Sequence, residues 1–212
     1  MGTDKKRLLV VDDEPETRTL LTRIFRSMGH DVEAAEDGFS ALKSIRHALP
    51  DILLSDLNMP GMSGFELLSV VRRRLPQIYV IASSGAYTGS AIPEGIAADA
   101  FYEKASRLSG LLEIVKVALN ADVSKRSSEP AVPMWLTVQG GRPTGEEYFV
   151  VSCTECLRTF SHAHRKVLGV VHKADCVFCG TVTPYAVVRL LARMNEQAYQ
   201  IELDEAGRQM RA

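Results

Sequence analysis

The 212 residues are 46% hydrophobic and 24% charged, with 25 Lys and Arg set against 26 Asp and Glu. That balance suits a folded chain of one large or two modest domains, and it excludes one built throughout as a polyanion binder or kept disordered by its charge. No apolar run approaches the length of a membrane span, and the short apolar stretch of MGTDKKRLLVVDD ends in acids rather than in a cleavage site, so a cytoplasmic protein without membrane contact is expected.

In chain order, RLLVVDD, DVEAAE, DILLSD, IYVIASS and AFYEK predict five short strands. Longer stretches with helical spacing separate them. In TRTLLTRIFRSMG, Leu20, Leu21, Ile24 and Phe25 recur at three- and four-residue intervals, and Gly29 supplies a stop. Further helices are predicted over Phe39–Leu49, Phe65–Leu75 and Leu108–Leu119, with a short one in GSAIPEGIAAD, interrupted by Pro93 and Gly95. Such alternation implies an α/β domain with a parallel sheet covered by helices on both faces. Residues 122–133, rich in Ser, Pro and mixed charge, read as a linker. Beyond it, MWLTVQGGRPTGEEYFVVSC reads as strand, Gly-rich turn, strand, and AVVRLLARMNEQAYQI reads as a carboxy-terminal helix. In that helix Val187, Leu191, Met194, Ala198 and Ile201 form the seam. The division predicted is therefore 5–121, a linker at 122–133, and a smaller unit at 134–212.

In an open parallel sheet, sites form beyond the carboxyl ends of the strands. Asp12 and Asp13 end the first strand, Asp56 the third, Ser83 and Ser84 the fourth, and Lys104 follows the fifth. Three carboxylates in one crevice repel one another unless a cation is present, and hard oxygen ligands suit Mg²⁺. A lysine and a hydroxyl beside them could share the oxygens of a phosphoryl group transferred to Asp56 as nucleophile, which requires Asp56 to be exposed at its strand end.

The motifs VVDDE, DLNMPGMSG, SSG and FYEK, in this order, closely resemble the receiver domain of bacterial two-component response regulators over roughly residues 5–121. The resemblance implies a flavodoxin-like, doubly wound sheet of strand order 2-1-3-4-5, and a signalling protein rather than an enzyme. Asp56 would be the phosphoacceptor and Lys104 the phosphate clamp. Asp12, Asp13, Asp56 and the Asn58 carbonyl would serve Mg²⁺. Ser84 would be the switch hydroxyl and Phe101 the aromatic that moves with it. A sensor histidine kinase is implied as phosphodonor, and phosphorylation could bring two copies together. The sequence departs from the family at Ala105, where a proline is usual.

All four cysteines lie in CTEC (153–156) and CVFC (176–179). Two C-x₂-C pairs separated by 19 residues match a tetrahedral Zn²⁺ site made by Cys153, Cys156, Cys176 and Cys179, and the segment resembles a zinc ribbon. A redox role for the two pairs, or ligation mixed with His162, His164 or His172, stays open, with the histidines expected at the surface. Between Leu157 and Ala174 stand Arg158, Arg165, Lys166 and Lys173 and no acid. This basic finger is the expected contact for an acidic protein or a nucleic acid. From Pro130 to the end, however, nine Lys and Arg meet eight Asp and Glu, so the positive charge is local. A protein-interaction adaptor without nucleic-acid contact is the further alternative.

Overall fold

The computed structural model of the chain describes residues 5–87, 96–104, 106–121, 133–137, 147–153, 155–156, 158–164 and 171–188. β1 (Arg7–Val11), α1 (Pro15–Ser27), β2 (Asp31–Ala35), α2 (Gly38–His47), β3 (Ile52–Asp56), α3 (Gly64–Arg74), β4 (Tyr79–Ser84), β5 (Ala100–Glu103) and α4 (Leu108–Leu119) form the first part. Its five strands pair in parallel in the order β2-β1-β3-β4-β5, as expected.

Side chains alternate across a strand, so β1 feeds two cores. Leu9 and Val11 join Ala41 and Ile45 of α2 and Phe65, Leu68 and Val71 of α3 on one face. Leu8 and Val10 join Leu21 and Phe25 of α1 and Leu111 and Val115 of α4 on the other. The stripe predicted for α1 is only half inward, because Leu20 is 55% exposed. Local chemistry starts the helices where the sequence indicates. Ser63 Oγ accepts from Glu66 N while the Glu66 carboxylate accepts from Ser63 N, a capping box that fixes the first turn of α3. Burial pushes the Glu66 carboxyl above its ordinary range. At the far end of the sheet, Arg72 Nη2 pairs with Asp99 at 2.6 Å, and the other oxygen of that carboxylate accepts from Val80 N at 2.7 Å.

β6 (Met134–Thr137), β7 (Glu147–Ser152), β8 (Thr159–His164), β9 (Val171–Asp175) and β10 (Val182–Val188) follow. They form a three-stranded sheet of order β6-β10-β9 and an antiparallel pair β7-β8. The three-stranded sheet has two dissimilar faces. Trp135 and its register partner Ala186 pack into the same core as Phe65 and Leu68 of α3. Met134, Leu136, Tyr185 and Val187 turn the other way, toward Val151, Phe160 and the cysteines.

The expected helix over Val187–Ile201 is corrected at its start: Val187 is a strand residue, within the β-branched run VTPYAVV that pairs with β6 and β9. The remainder of that helix, most of the weak helix before β5, Ala105 and most of the linker lie outside the described residues. Among the described residues no helix is long and apolar enough to cross a membrane.

Candidate functional site

The carboxyl ends of β1 and β3 bring Asp12, Asp13 and Asp56 together, with one oxygen of each within 4.8 Å of the others. Lys104, just after β5, reaches into this cluster: its Nζ lies 2.7 Å from Asp56 Oδ2 and 2.8 Å from Asp12 Oδ2. The ammonium explains one departure from expectation. Asp56 is not exposed at its strand end but 2% accessible, because Lys104 covers it. Burial raises the Asp12 carboxyl above its ordinary value, although Lys104 opposes the shift. Burial works to lower Lys104, but the Asp56 and Asp12 carboxylates outweigh it and leave the ammonium above its usual range.

Backbone geometry holds the nucleophile candidate in place. Asp56 Oδ1 accepts from Asn58 N at 3.3 Å, and Leu57 N donates to Ser83 O at 2.9 Å. Gly64, the first residue of α3, sits so close beneath β3 that a Cβ built on it would lie 1.9 Å from the Asp56 carbonyl oxygen. Only glycine permits that approach. Ser83 is the register neighbour of Asp56, and Ser84 is the next residue of β4. Ser84 Oγ accepts from Ala86 N at 3.0 Å and Tyr87 N at 3.2 Å, so the hydroxyl is bound into its own turn. Phe101 is half-buried against the core shared by α2 and α3. Arg18, which pattern reading passes over, donates to the Asp12 carbonyl at 2.6 Å and pins the acidic loop from α1.

The oxygen-only donor set of three clustered carboxylates fits a hard divalent cation.

A second cluster gathers Cys153, Cys156, Cys176 and Cys179, whose sulfurs lie within 4.8 Å of one another. Two close contacts run between the pairs: Cys153 to Cys179 and Cys156 to Cys176, each 3.6 Å. Each pair forms a turn closed by backbone bonds, Cys153 N to Arg158 O at 2.9 Å and Cys176 N to Thr181 O at 3.0 Å. Gly180 takes φ 71° to let the second chain turn back. Cys153 Sγ accepts from Glu155 N at 3.4 Å and Cys156 N at 3.5 Å, which favours its thiolate. Bonds from Thr181, its hydroxyl foremost, bring the Cys179 thiol down to about 6. Four soft donors in a closed shell fit Zn²⁺. No histidine joins them among the described residues. His162 and His172 are half-buried rather than at the surface, flanking the Tyr185 ring at 5.4 and 5.5 Å; the side chain of His164 lies outside the described residues.

Of the finger cations, Arg158 and Lys173 are exposed, and Arg165 and Lys166 lie outside the described residues. Arg158 stacks 5.2 Å above the ring of Phe178 in the other cysteine turn, so part of its charge is committed within the cluster.

The pattern of the family described as Response regulator receiver domain matches residues 8–116, just over half of the 212-residue chain. The DNA-binding response regulator MtrA of Mycolicibacterium smegmatis is 42% identical over 72 residues, which is 34% of this chain and 32% of that protein. The sensor protein EvgS of Escherichia coli (strain K12) is 41% identical over 71 residues, 34% of this chain and 6% of its own. The chain thus matches a third or less of the length of these curated relatives. Among solved structures, the response regulator protein TrrA of Thermotoga maritima in complex with Mg²⁺-BeF is 33% identical, with a TM-score of 0.50, covering 53% of this chain and 98% of that one. A CheY-like response regulator receiver domain protein from Methanospirillum hungatei JF-1 is 28% identical, with a TM-score of 0.51, covering 55% and 95%.

Proposed function

The chain belongs to the response regulator receiver family, and on that premise we propose that it accepts a phosphoryl group on Asp56 and uses it to control a Cys₄ zinc-binding output module. The observation that carries the reading is Lys104 Nζ held between Asp56 and Asp12 at 2.7 and 2.8 Å, beside a third carboxylate. An Asp56 oxygen attacks phosphorus, the bond to the donor's leaving group breaks, and an aspartyl phosphate forms. Asp12, Asp13, Asp56 and the Asn58 carbonyl would hold Mg²⁺, which when bound neutralises phosphoryl oxygens. Lys104 then moves its charge from Asp56 to the phosphoryl group, and the Ser84 hydroxyl is the group in position to report the change, with Phe101 following.

On this reading residues 5–121 are the receiver, 122–133 the linker and 134–212 the output module. The phosphodonor is a sensor histidine kinase, and the protein acts in the cytoplasm as a signalling component rather than an enzyme. Free cysteines paired across two turns, with backbone N–H groups aimed at sulfur, support zinc over a redox couple. The exposed Arg158 and Lys173, with Arg165 and Lys166, make an acidic protein or nucleic acid the partner of the finger, and phosphorylation-dependent pairing of two copies would strengthen that contact.

Incubation with Mg²⁺ and acetyl phosphate, followed by phosphopeptide mapping, tests the central step. One phosphoryl group on Asp56 is expected, lost in Asp56→Asn and, through the metal, in Asp13→Ala. Phosphate on a Ser or His would contradict the reading.

A further inference from the structure

The peptide joining Asp12 to Asp13 is held where β1 passes into its loop. Asp12 N donates to Ala35 O of β2 at 3.1 Å, and the Asp12 carbonyl accepts from Arg18 Nη1 at 2.6 Å. The side chain is held as well: Oδ1 accepts from Glu14 N at 3.0 Å, and Oδ2 meets Lys104 Nζ at 2.8 Å. A peptide unit is planar, so the direction of the Asp12 carbonyl sets the plane of the Asp13 N–H, and with it the point where the Asp13 side chain leaves the backbone. The bond from Arg18 is therefore a hold on Asp13 as much as on Asp12.

Arg18 stands on a firm base. It is the fourth residue of α1, half-buried, and its own N–H donates to Glu14 O at 3.0 Å in the first turn. Leu21 and Phe25, three and seven positions further on, share its helix face and are buried with Leu8 and Val10 of β1. Helix start and strand end are thus one packed unit, and the arginine closes the loop between them. Its guanidinium meets a neutral oxygen rather than a carboxylate. A guanidinium forked onto Asp13 would compete with a metal for the same oxygens, whereas one bonded to the preceding carbonyl aims the acid without taking them.

We propose that Arg18 is a positioning residue of the acidic site: through the Asp12 carbonyl it aims Asp13, and it thereby sets the affinity for Mg²⁺. The inference rests on the Mg²⁺ reading of the three carboxylates. Its sign separates positioning from charge. A cation beside a cation site repels the metal, so on charge alone its removal would tighten Mg²⁺ binding. Loss of the hold loosens a ligand and weakens binding instead.

The test is Mg²⁺ binding by the full-length chain without phosphodonor, read as the rise of the urea midpoint with Mg²⁺ concentration. Arg18→Met keeps the apolar stem and removes the donor, and Mg²⁺ affinity should fall by about tenfold, the lower range for groups beyond the ligands. Arg18→Lys returns a donor and should stay within about threefold of the parent. Arg18→Gln suits a helix but is too short to replace the arginine at the carbonyl, so it should match the Met variant and carries the test should Met disturb the fold. With acetyl phosphate present, the labelling deficit of the Met variant should close as Mg²⁺ is raised. Unchanged or tighter Mg²⁺ binding in the Met and Gln variants, or a Lys variant as weak as they are, would overturn the inference, as would a parent midpoint that ignores Mg²⁺. Weaker Mg²⁺ binding in the Met variant of a chain that takes no label would uphold it while bringing down the phosphoacceptor reading.

Discussion

The backbone N–H of Trp135 donates to Ser69 Oγ at 3.0 Å, joining β6 to α3 across 66 positions of sequence. Both residues are buried, and the serine hydroxyl in turn donates to the Phe65 carbonyl at 2.7 Å. Ser69→Ala removes the hydroxyl without adding bulk and leaves a buried N–H without its acceptor, which should cost about 1–3 kcal/mol. Trp135→Ala should cost about 3–5 kcal/mol through the cavity it opens. Because Trp135 lies in the core of Phe65 and Leu68, urea unfolding should show the loss in the transition of the five-stranded sheet. A sheet transition indifferent to Trp135→Ala would contradict that shared core.

Gly64→Ala should be among the most damaging single-atom additions in the chain. The new carbon would meet the Asp56 carbonyl oxygen and the Leu57 backbone, neither of which is a flexible side-chain end. Loss of both thermal stability and phosphoryl incorporation is expected. Parent-like labelling of the Ala variant would show that the contact between α3 and β3 does not hold Asp56 in place.

Removing Lys104 leaves Asp12 and Asp56 facing each other, both 2% exposed at the side chain. In Mg²⁺-free buffer at neutral pH, Lys104→Met should cost about 3 kcal/mol. Added Mg²⁺ should recover part of this. The sign with pH follows from the two raised groups. Lys104 contributes stability that is full below its ordinary value and fades as pH rises through its higher folded one. Asp12, raised by burial, favours the folded chain when protonated, so the deficit of the Met variant should shrink as pH falls through the raised Asp12 value. Denaturation midpoints of both chains against pH measure this, and a deficit that grows in acid would contradict it.

Thiol reactivity separates zinc from redox chemistry. Cys179 is exposed and its thiol is brought down to about 6, whereas Cys156 is pushed up to about 11. After chelation, brief alkylation near neutral pH should label Cys179 before Cys156, and zinc should protect both. Labelling that ignores zinc would favour the redox alternative.

The acidic site was legible because its residues are carried by strand ends, and a strand end is visible as an apolar run meeting Asp12, Asp56 or Ser84. The cysteine cluster was legible for a similar reason, since the spacing of a metal turn is local. What the sequence did not disclose is where the cysteine turns sit. Trp135 reads as one apolar residue in a short strand, and nothing in MWLT names Ser69 as its partner. Val187 misled because a β-branched residue fits either an apolar helix seam or a strand, and pairing with β6 and β9 decided for the strand. Lys104 lying over Asp56 was hidden too, since a motif gives membership of a site but not which group covers which.

Trp135 is the sole tryptophan, so its emission reports the α3–β6 contact directly. Tyr87, whose N–H is bound by Ser84 Oγ, packs edge-on against Phe65 at 5.4 Å, and Phe65 in turn meets Trp135. If phosphorylation of Asp56 controls the cysteine module, its effect should cross this contact. The decisive measurement is the fluorescence of the full-length, zinc-loaded chain on adding acetyl phosphate with Mg²⁺, alongside mass-spectrometric confirmation that Asp56 is phosphorylated. The account predicts a change in Trp135 emission that rises with phosphoryl occupancy and is absent in Asp56→Asn. Full phosphorylation of Asp56 with Trp135 emission unaltered would contradict it.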